Sequence, residues 1–124
     1  MKKSDFKPKV WENAMVEARS VLIERAKAGD LISYSDLDKE INAIKFDMEQ
    51  VDNRQVLGQV IGELSIQEDR AGRGMISAIV VHKVDHVPGD GFYSFAEELG
   101  RDISDKQVCW ITEVKKVHES WQRK

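Results

Sequence analysis

Residues 75–95, which read "MISAIVVHKVDHVPGDGFYSF", decide the fold class that the sequence predicts. The β-branched run over residues 75–82 is typical of a strand. In "VPGD", Pro88 fixes φ at the second position of a type II turn, and Gly89 supplies the positive φ that the third position needs. The segment "GFYSF" then returns as a second strand or an extended arm. The stretch therefore predicts a β-hairpin.

Three amphipathic helices precede this hairpin. The first covers roughly residues 9–28, with Pro8 before it and Gly29 as its C-cap. After the short β-leaning segment "LISYS", a second and shorter helix begins with Ser35 as its N-cap. A third helix opens at Asp52, and its predicted buried stripe consists of Val56, Leu57, Val60, Ile61 and Leu64. Three helices followed by a hairpin is the element order of a winged helix-turn-helix.

Helical patterns return after the hairpin. Ser94 and Glu97 match a capping box for a short helix that ends at Gly100. Ser104 opens a last helix, on which five apolar residues keep helical spacing: Val108, Ile111, Val114, Val117 and Trp121.

The predicted fold is therefore α+β and winged helix-turn-helix-like, with three helices, a β-hairpin and C-terminal helices. The whole chain, 1–124, is predicted to be a single domain, with a core at about 9–100 and the C-terminal helix at about 104–122. A different α+β fold with the same element order is the alternative.

Composition predicts an ordinary globular protein of the cytoplasm. The chain has 124 residues, of which 41% are hydrophobic and 33% are charged. It has no apolar run of the roughly 20 residues that a bilayer span needs, and its N-terminus lacks the apolar core of a secretory signal. Cys109 is the only cysteine, so no disulfide can form within the chain. No membrane association and no cofactor are expected.

The charge is distributed unevenly along the chain. The net charge is −3, but residues 31–69 hold three basic and nine acidic residues, which gives −6. Residues 1–30 sum to +2 and residues 70–124 to +1. Because nucleic-acid binders normally present a basic face, the acidic middle of the chain argues against nucleic acid as the partner.

Two motifs resemble known families. The segment "AGDLISYSDLDKEI" (28–41), followed by "NRQVLGQVIGELS" (53–65), resembles the winged-helix domain of alkyltransferase-like DNA-repair proteins. The resemblance implies a winged helix that binds DNA. It does not imply alkyl transfer, because the family's reactive P-C-H-R string would fall near "MISAIVVHK", where it is absent. Separately, residues 72–100 resemble uncharacterised small prokaryotic proteins that share a P-G-x-G-F motif, which implies no function.

A winged helix would use its third helix as the recognition helix. Its outward polar residues would include Arg54, Gln55 and Gln59, which are residue types that read base edges. Phosphates would be contacted by Arg70, Arg73 and Lys83 from the loop and the wing, and by four residues of the tail: Lys115, Lys116, Arg123 and Lys124. The predicted function is non-enzymatic nucleic-acid binding by a regulator or accessory factor. The alternative is a protein–protein interaction module of a prokaryotic or phage system, with a dimer as one option.

A second alternative concerns metal chemistry. His82 and His86 would share one face of an extended strand, with Asp85 and Asp90 nearby, so a metal-dependent enzyme could use the two histidines. The competing interpretation is a polar loop with exposed histidines. The glycines of "PGDGF" are interpreted as a structural turn, because the lysine and hydroxyl residue of a phosphate-binding loop do not follow them.

Two features of the helices indicate close packing or a partner. Gly58 and Gly62 lie four residues apart on the third helix, where each glycine costs about 1 kcal/mol relative to alanine. Close helix packing or the close approach of a partner would explain them. Trp121, near the C-terminus, is expected to be partly exposed or to pack on a partner subunit.

Overall fold

The structure, a computed structural model, describes residues 2–122. Five α-helices make up most of these residues: α1 (Pro8–Ala28), α2 (Tyr34–Glu40), α3 (Val51–Arg70), α4 (Asp90–Glu98) and α5 (Lys106–Gln122). They are joined by two short strands, β1 (Ile32–Ser33) and β2 (Val80–Val81), and by 3-10 helices at Lys3–Asp5 and Ile76–Ile79. The architecture is α+β, as predicted, with helices dominating.

Helix α1 packs against α2, α3 and α5. Its buried face repeats every three or four residues and is rich in alanine, which lets neighbouring helices approach closely: Trp11, Ala14, Ala18, Leu22 and Ala26. Pro8 occupies the first helical position, where its missing N–H costs nothing. Gly29 ends the helix in the left-handed conformation, with φ of 72°. The predicted helix and its C-cap are confirmed.

The sheet is formed by two strands that lie far apart in the sequence. β1 pairs with β2 in parallel, with Ile32 opposite Val80 and Ser33 opposite Val81. The predicted β-hairpin is wrong, because β2 pairs with β1 and because the segment expected to return as a strand lies in α4. The first part of the predicted strand is wrong too, since residues 76–79 form a 3-10 helix.

Backbone geometry explains the missing hairpin. Gly89 has φ of −74°, so Pro88 and Gly89 do not form the predicted type II turn, and Gly89 is instead the N-cap of α4. Phe92 and Ala96 lie four residues apart and are both buried, which suits one face of a helix. Ser94 lies inside α4, so the predicted capping box is also wrong. Residues 76–81 are buried throughout, and such a run does not by itself specify a strand.

Helices α2 and α3 occur where the sequence predicted them, with shifted ends. Ser33, rather than Ser35, caps α2, because its hydroxyl accepts a hydrogen bond from the Asp36 N–H at 3.1 Å. Helix α3 begins at Val51 and runs on to Arg70, through residues that resemble a polar loop. Its predicted buried stripe is confirmed at all five positions: Val56, Leu57, Val60, Ile61 and Leu64.

Helix α5 is rotated relative to the predicted stripe. Its buried residues are Cys109, Glu113, Val117 and Trp121, whereas Val108 and Ile111 are exposed. The Asp105 carboxylate accepts a hydrogen bond from the Val108 N–H at 3.1 Å, so the first turn is capped one residue later than predicted.

Trp121 is only 8% exposed, which contradicts the expectation of an exposed or subunit-facing side chain. The guanidinium groups of Arg19 and Arg73 lie 5.9 and 5.3 Å from its ring centre. The C-terminal tryptophan is therefore part of the packed molecule.

Two groups of buried side chains hold these elements together. The larger lies among α1, α2, α3, the sheet and the end of α5. The smaller lies where the start of α5 meets α4, and it is built around Met75, Phe92, Ala96 and Cys109. Among residues 2–122, no helix has the length and apolar character needed to cross a membrane.

Candidate functional site

A cleft of about 620 Å³ opens between α3 and α4, and we call it the α3–α4 cleft. Its apolar and aromatic lining comes from four parts of the chain: Tyr34, Met48, Val51, Ile61, Phe92 and Phe95. Its polar side chains are Ser35, Arg54, Gln55, Ser77, His82, Lys83 and Asp90. Ligand sites in proteins combine a volume of this order with an apolar wall and a few polar groups.

Helix α3 supplies one wall of the cleft. Residues spaced three or four apart share a helix face, so Arg54, Gly58 and Ile61 face the cleft together. Arg54 is exposed, and its guanidinium donates a hydrogen bond to the Met48 carbonyl at 3.3 Å. This contact holds the guanidinium near the carbonyl of Met48, which itself lines the cleft.

The two glycines of α3 meet different surroundings. A Cβ on Gly62 would lie 2.3 Å from a ring atom of Phe95, so only glycine allows α3 and α4 to approach this closely. A Cβ on Gly58 would meet nothing within 4 Å, because Gly58 faces the open cleft. Close packing therefore explains Gly62 but not Gly58.

The opposite wall is fixed by a contact between Tyr34 and the start of α4. The Gly89 N–H donates a hydrogen bond to the Tyr34 hydroxyl at 3.0 Å. The Tyr34 ring lies 5.0 Å from the His82 ring, measured between centres. Burial raises the pKa of the Tyr34 hydroxyl, against the lowering effect of the Gly89 hydrogen bond, so the hydroxyl stays protonated at neutral pH.

A small protruding loop, residues 82–87, borders the cleft. The His82 N–H donates to the Val87 carbonyl at 2.9 Å, and the His86 N–H donates to the His82 carbonyl at 2.9 Å. His86 adopts a left-handed backbone, with φ of 58°. Lys83 stands at the base of this loop and Val84 at its tip, where it is 94% exposed. The predicted turn at Pro88 and Gly89 comes after this loop, and Pro88 is buried.

The structure brings together three of the six predicted nucleic-acid-binding residues. Arg54, Gln55 and Lys83 all line the α3–α4 cleft, although Lys83 is 29 residues beyond Arg54. Gln59 faces another groove, which it lines with Trp11 and the N-terminal residues.

The other two arginines lie at the far end of α3. Arg70 is exposed, about 24 Å along the helix axis from Arg54. Arg73 forms an ion pair with Glu68 and covers Trp121, so its guanidinium is engaged within the molecule. Among the tail lysines, Lys115 lines a groove beside α5 and Lys116 packs near Gly74. Arg123 and Lys124 lie outside the described residues.

Sequence reasoning missed the aromatic half of the cleft. Tyr34, Phe92 and Phe95 were assigned to strands or to the core, because nothing local indicates that they face one space. The clearest signal was Gly58, whose helix position has no packing explanation.

The structure provides no support for a metal site at His82 and His86. Among residues 2–122, no group of three or more histidine, cysteine or acidic side chains is placed to hold a metal ion. Cys109 is buried, and burial raises the pKa of its thiol, which disfavours the thiolate that acts as a nucleophile or metal ligand.

Ion pairs within the molecule change how the acidic middle of the chain should be interpreted. Glu63 pairs with Lys3 at 2.7 Å. Glu68 pairs with Arg19 at 2.9 Å and with Arg73, and Asp69 pairs with Arg101 at 2.5 Å. Three of the nine carboxylates in residues 31–69 are thus paired with lysine or arginine side chains from outside that segment. The charged residues that line the cleft are two cations and one anion, Arg54, Lys83 and Asp90.

No protein-family model matches this chain, and neither a curated protein nor a solved structure matches it. The cleft and the chemistry of its lining are therefore the features of the molecule that bear on its function.

Proposed function

We propose that this protein binds nucleic acid without catalysing a reaction, and that the α3–α4 cleft receives an unpaired base. The observation that carries the proposal is the convergence of Arg54, Gln55 and Lys83 on an aromatic-lined cleft. Arg54 and Gln55 are neighbours on α3, and Lys83 joins them from the loop 82–87. Together they combine cations for phosphate with an amide that can read a base edge.

An unpaired base suits the lining better than an intact duplex does. Bases that leave a stack are held by apolar and aromatic side chains and by hydrogen bonds to their edges. The cleft offers Tyr34 and Phe95 beside Ile61, with Gln55 and Ser35 as polar neighbours. Arg54 and Lys83 stand where they would meet the phosphates on either side of such a nucleotide.

The same assignment gives α3 the place of a recognition helix, as the resemblance to winged-helix domains implies. In this proposal the loop 82–87 takes the position of a wing, although it is a compact turn rather than a hairpin. A cytoplasmic location and a regulatory or accessory role belong to the proposal, and the lone cysteine supports the location.

Part of the acidic charge of residues 31–69 is offset by ion pairs within the molecule. Glu63, Glu68 and Asp69 form ion pairs with basic side chains of the protein, and they lie toward the end of α3 that is distant from Arg54. The charged lining of the cleft has a formal sum of +1, from two cations and one anion. Attraction to phosphate is therefore local, and we expect modest affinity that depends on salt.

The test is a binding titration with fluorescently labelled oligodeoxynucleotides. We expect the affinity to be highest for a single strand, lower for a duplex with one unpaired nucleotide and lowest for a fully paired duplex. Arg54→Ala and Lys83→Ala should each weaken binding by about tenfold, equivalent to about 1.4 kcal/mol, and should reduce its salt dependence.

Arg70→Ala is the matched control, because Arg70 is an exposed arginine on the same helix that does not line the cleft. An equal loss in Arg70→Ala would point to a diffuse basic surface and would contradict binding in the cleft. Failure of the wild-type protein to bind any oligonucleotide at low salt would reject the proposal. Co-elution of two chains on a sizing column would then favour the protein-interaction alternative.

A further inference from the structure

Gly58 is the feature of the cleft that the fold does not explain. It lies in the interior of α3 and is not among the glycines with positive φ, so its backbone conformation is open to any residue. An added Cβ would meet nothing within 4 Å. Alanine would therefore fit without strain, and alanine is the better helix former.

Gly62 provides the contrast within the same helix. Its Cβ would collide with the Phe95 ring at 2.3 Å, so the contact between α3 and α4 requires glycine there. The packing reason that applies at Gly62 does not apply one turn earlier. What Gly58 leaves free is space in the α3–α4 cleft, against the helix backbone.

We propose that Gly58 is a ligand-binding position, at which the planar ring of the bound base lies against the backbone of α3. The inference rests on the proposed function, and it adds that the fold gives up helix stability to keep this space open. Arg54 lies one turn before Gly58 and Ile61 nearly one turn after it, so a ring at Gly58 would lie between a cation and an apolar side chain.

Four variants test the inference through thermal unfolding and through binding of the labelled single-stranded oligonucleotide. Gly58→Ala should raise Tm by about 3–5 °C and weaken binding. Gly58→Leu should weaken binding by at least about tenfold, because its side chain fills the space. Gly62→Ala should lower Tm. Gln67→Leu, which places leucine on the exposed surface of α3 away from the cleft, should leave the affinity unchanged.

The two readouts separate failure of this inference from failure of the proposed function. A lower Tm in Gly58→Ala would show that the fold needs the glycine, and it would overturn the inference whatever binds. Wild-type binding that is unchanged in Gly58→Leu would overturn the inference and leave the proposed function standing. A wild-type protein that binds no oligonucleotide would overturn both.

Discussion

Glu113 is a buried carboxylate on α5. Its side chain is almost fully buried, accepts a hydrogen bond from Arg101 Nε at 2.7 Å and accepts another from the Met75 N–H at 3.1 Å. These two partners replace the water that the carboxylate loses on burial. Glu113 therefore ties α5 to the segment that leads into β2.

Glu113→Gln should lower the free energy of unfolding by about 2 kcal/mol, because it removes the charge from a buried pair while keeping the shape. Urea unfolding monitored by tryptophan fluorescence measures the change. Glu119→Gln, at an exposed position on the same helix, is the control and should have little effect. Equal stability of the wild type and Glu113→Gln would show that the buried pair contributes nothing.

At the scale of the elements, a hydrogen bond at its start and a close contact with α3 help to position α4, whose buried face also packs in the smaller group of buried side chains. The Tyr34 hydroxyl holds the Gly89 N–H at the N-cap of α4, and Gly62 allows the Phe95 ring to reach α3. The cleft lies between these two points. The direction of α4, and with it the width of the cleft, depends on both contacts.

Tyr34→Phe should leave the Gly89 N–H without its acceptor, with a cost of about 1 kcal/mol in unfolding free energy. Faster amide hydrogen exchange at residues 89–92 should accompany this loss. Tyr93→Phe is the control, because the Tyr93 ring packs on Phe92 and near Lys106 rather than on Gly89. Unchanged exchange in Tyr34→Phe would mean that the hydrogen bond does not hold the start of α4.

The elements that the sequence predicts well are those specified by local periodicity. Helices α1 and α3 carry long apolar stripes, and Gly29 adds a local end signal. The predicted hairpin is wrong because "VPGD" suits both a turn and a helix start. The contacts that accompany the helix start include a hydrogen bond from Gly89 to Tyr34, 55 residues away. Parallel pairing of β1 with β2 likewise depends on contacts between distant residues, which no local pattern reports.

The sequence predicts the polar residues of the cleft but not its aromatic residues. Residue chemistry identified Arg54, Gln55 and Lys83, because cationic and amide side chains are recognisable wherever they stand. Tyr34 and Phe95 could not be found this way, since an aromatic residue of the core and one of a binding site look alike in sequence. Their role depends on which surfaces the whole fold leaves open.

At the scale of the whole molecule, partly buried ion pairs connect elements that are distant in sequence. Arg101, which follows α4, pairs with Asp69 near the end of α3 and with Glu113 of α5. The hydrogen bond from Arg101 lowers the pKa of Asp69 below its usual value. A carboxylate with a lowered pKa stabilises the folded state above its unfolded pKa, near 3.9, and this contribution is lost as the pH falls through the folded pKa.

We therefore expect Tm to change little with pH near neutrality and to fall below about pH 4. Asp69→Asn should lower Tm at pH 7, and its difference from the wild type should narrow as the pH falls. Scanning calorimetry from pH 7 to about pH 2.5 measures both curves, with Asp30→Asn, at an exposed residue after α1, as the control. If the difference in Tm between wild type and Asp69→Asn stayed constant across this pH range, the Asp69–Arg101 ion pair would not be the source of the pH dependence.

The burial of Cys109 makes this chain easy to label at a chosen point. The only native thiol is 6% exposed and has a raised pKa, so it should react slowly with maleimides. Val84→Cys would place one accessible thiol at the tip of the loop 82–87, where the native side chain is 94% exposed. A fluorophore attached there would stand beside Lys83 and the mouth of the cleft. Occupancy of the cleft could thus be followed by emission, in a protein that keeps all its other residues.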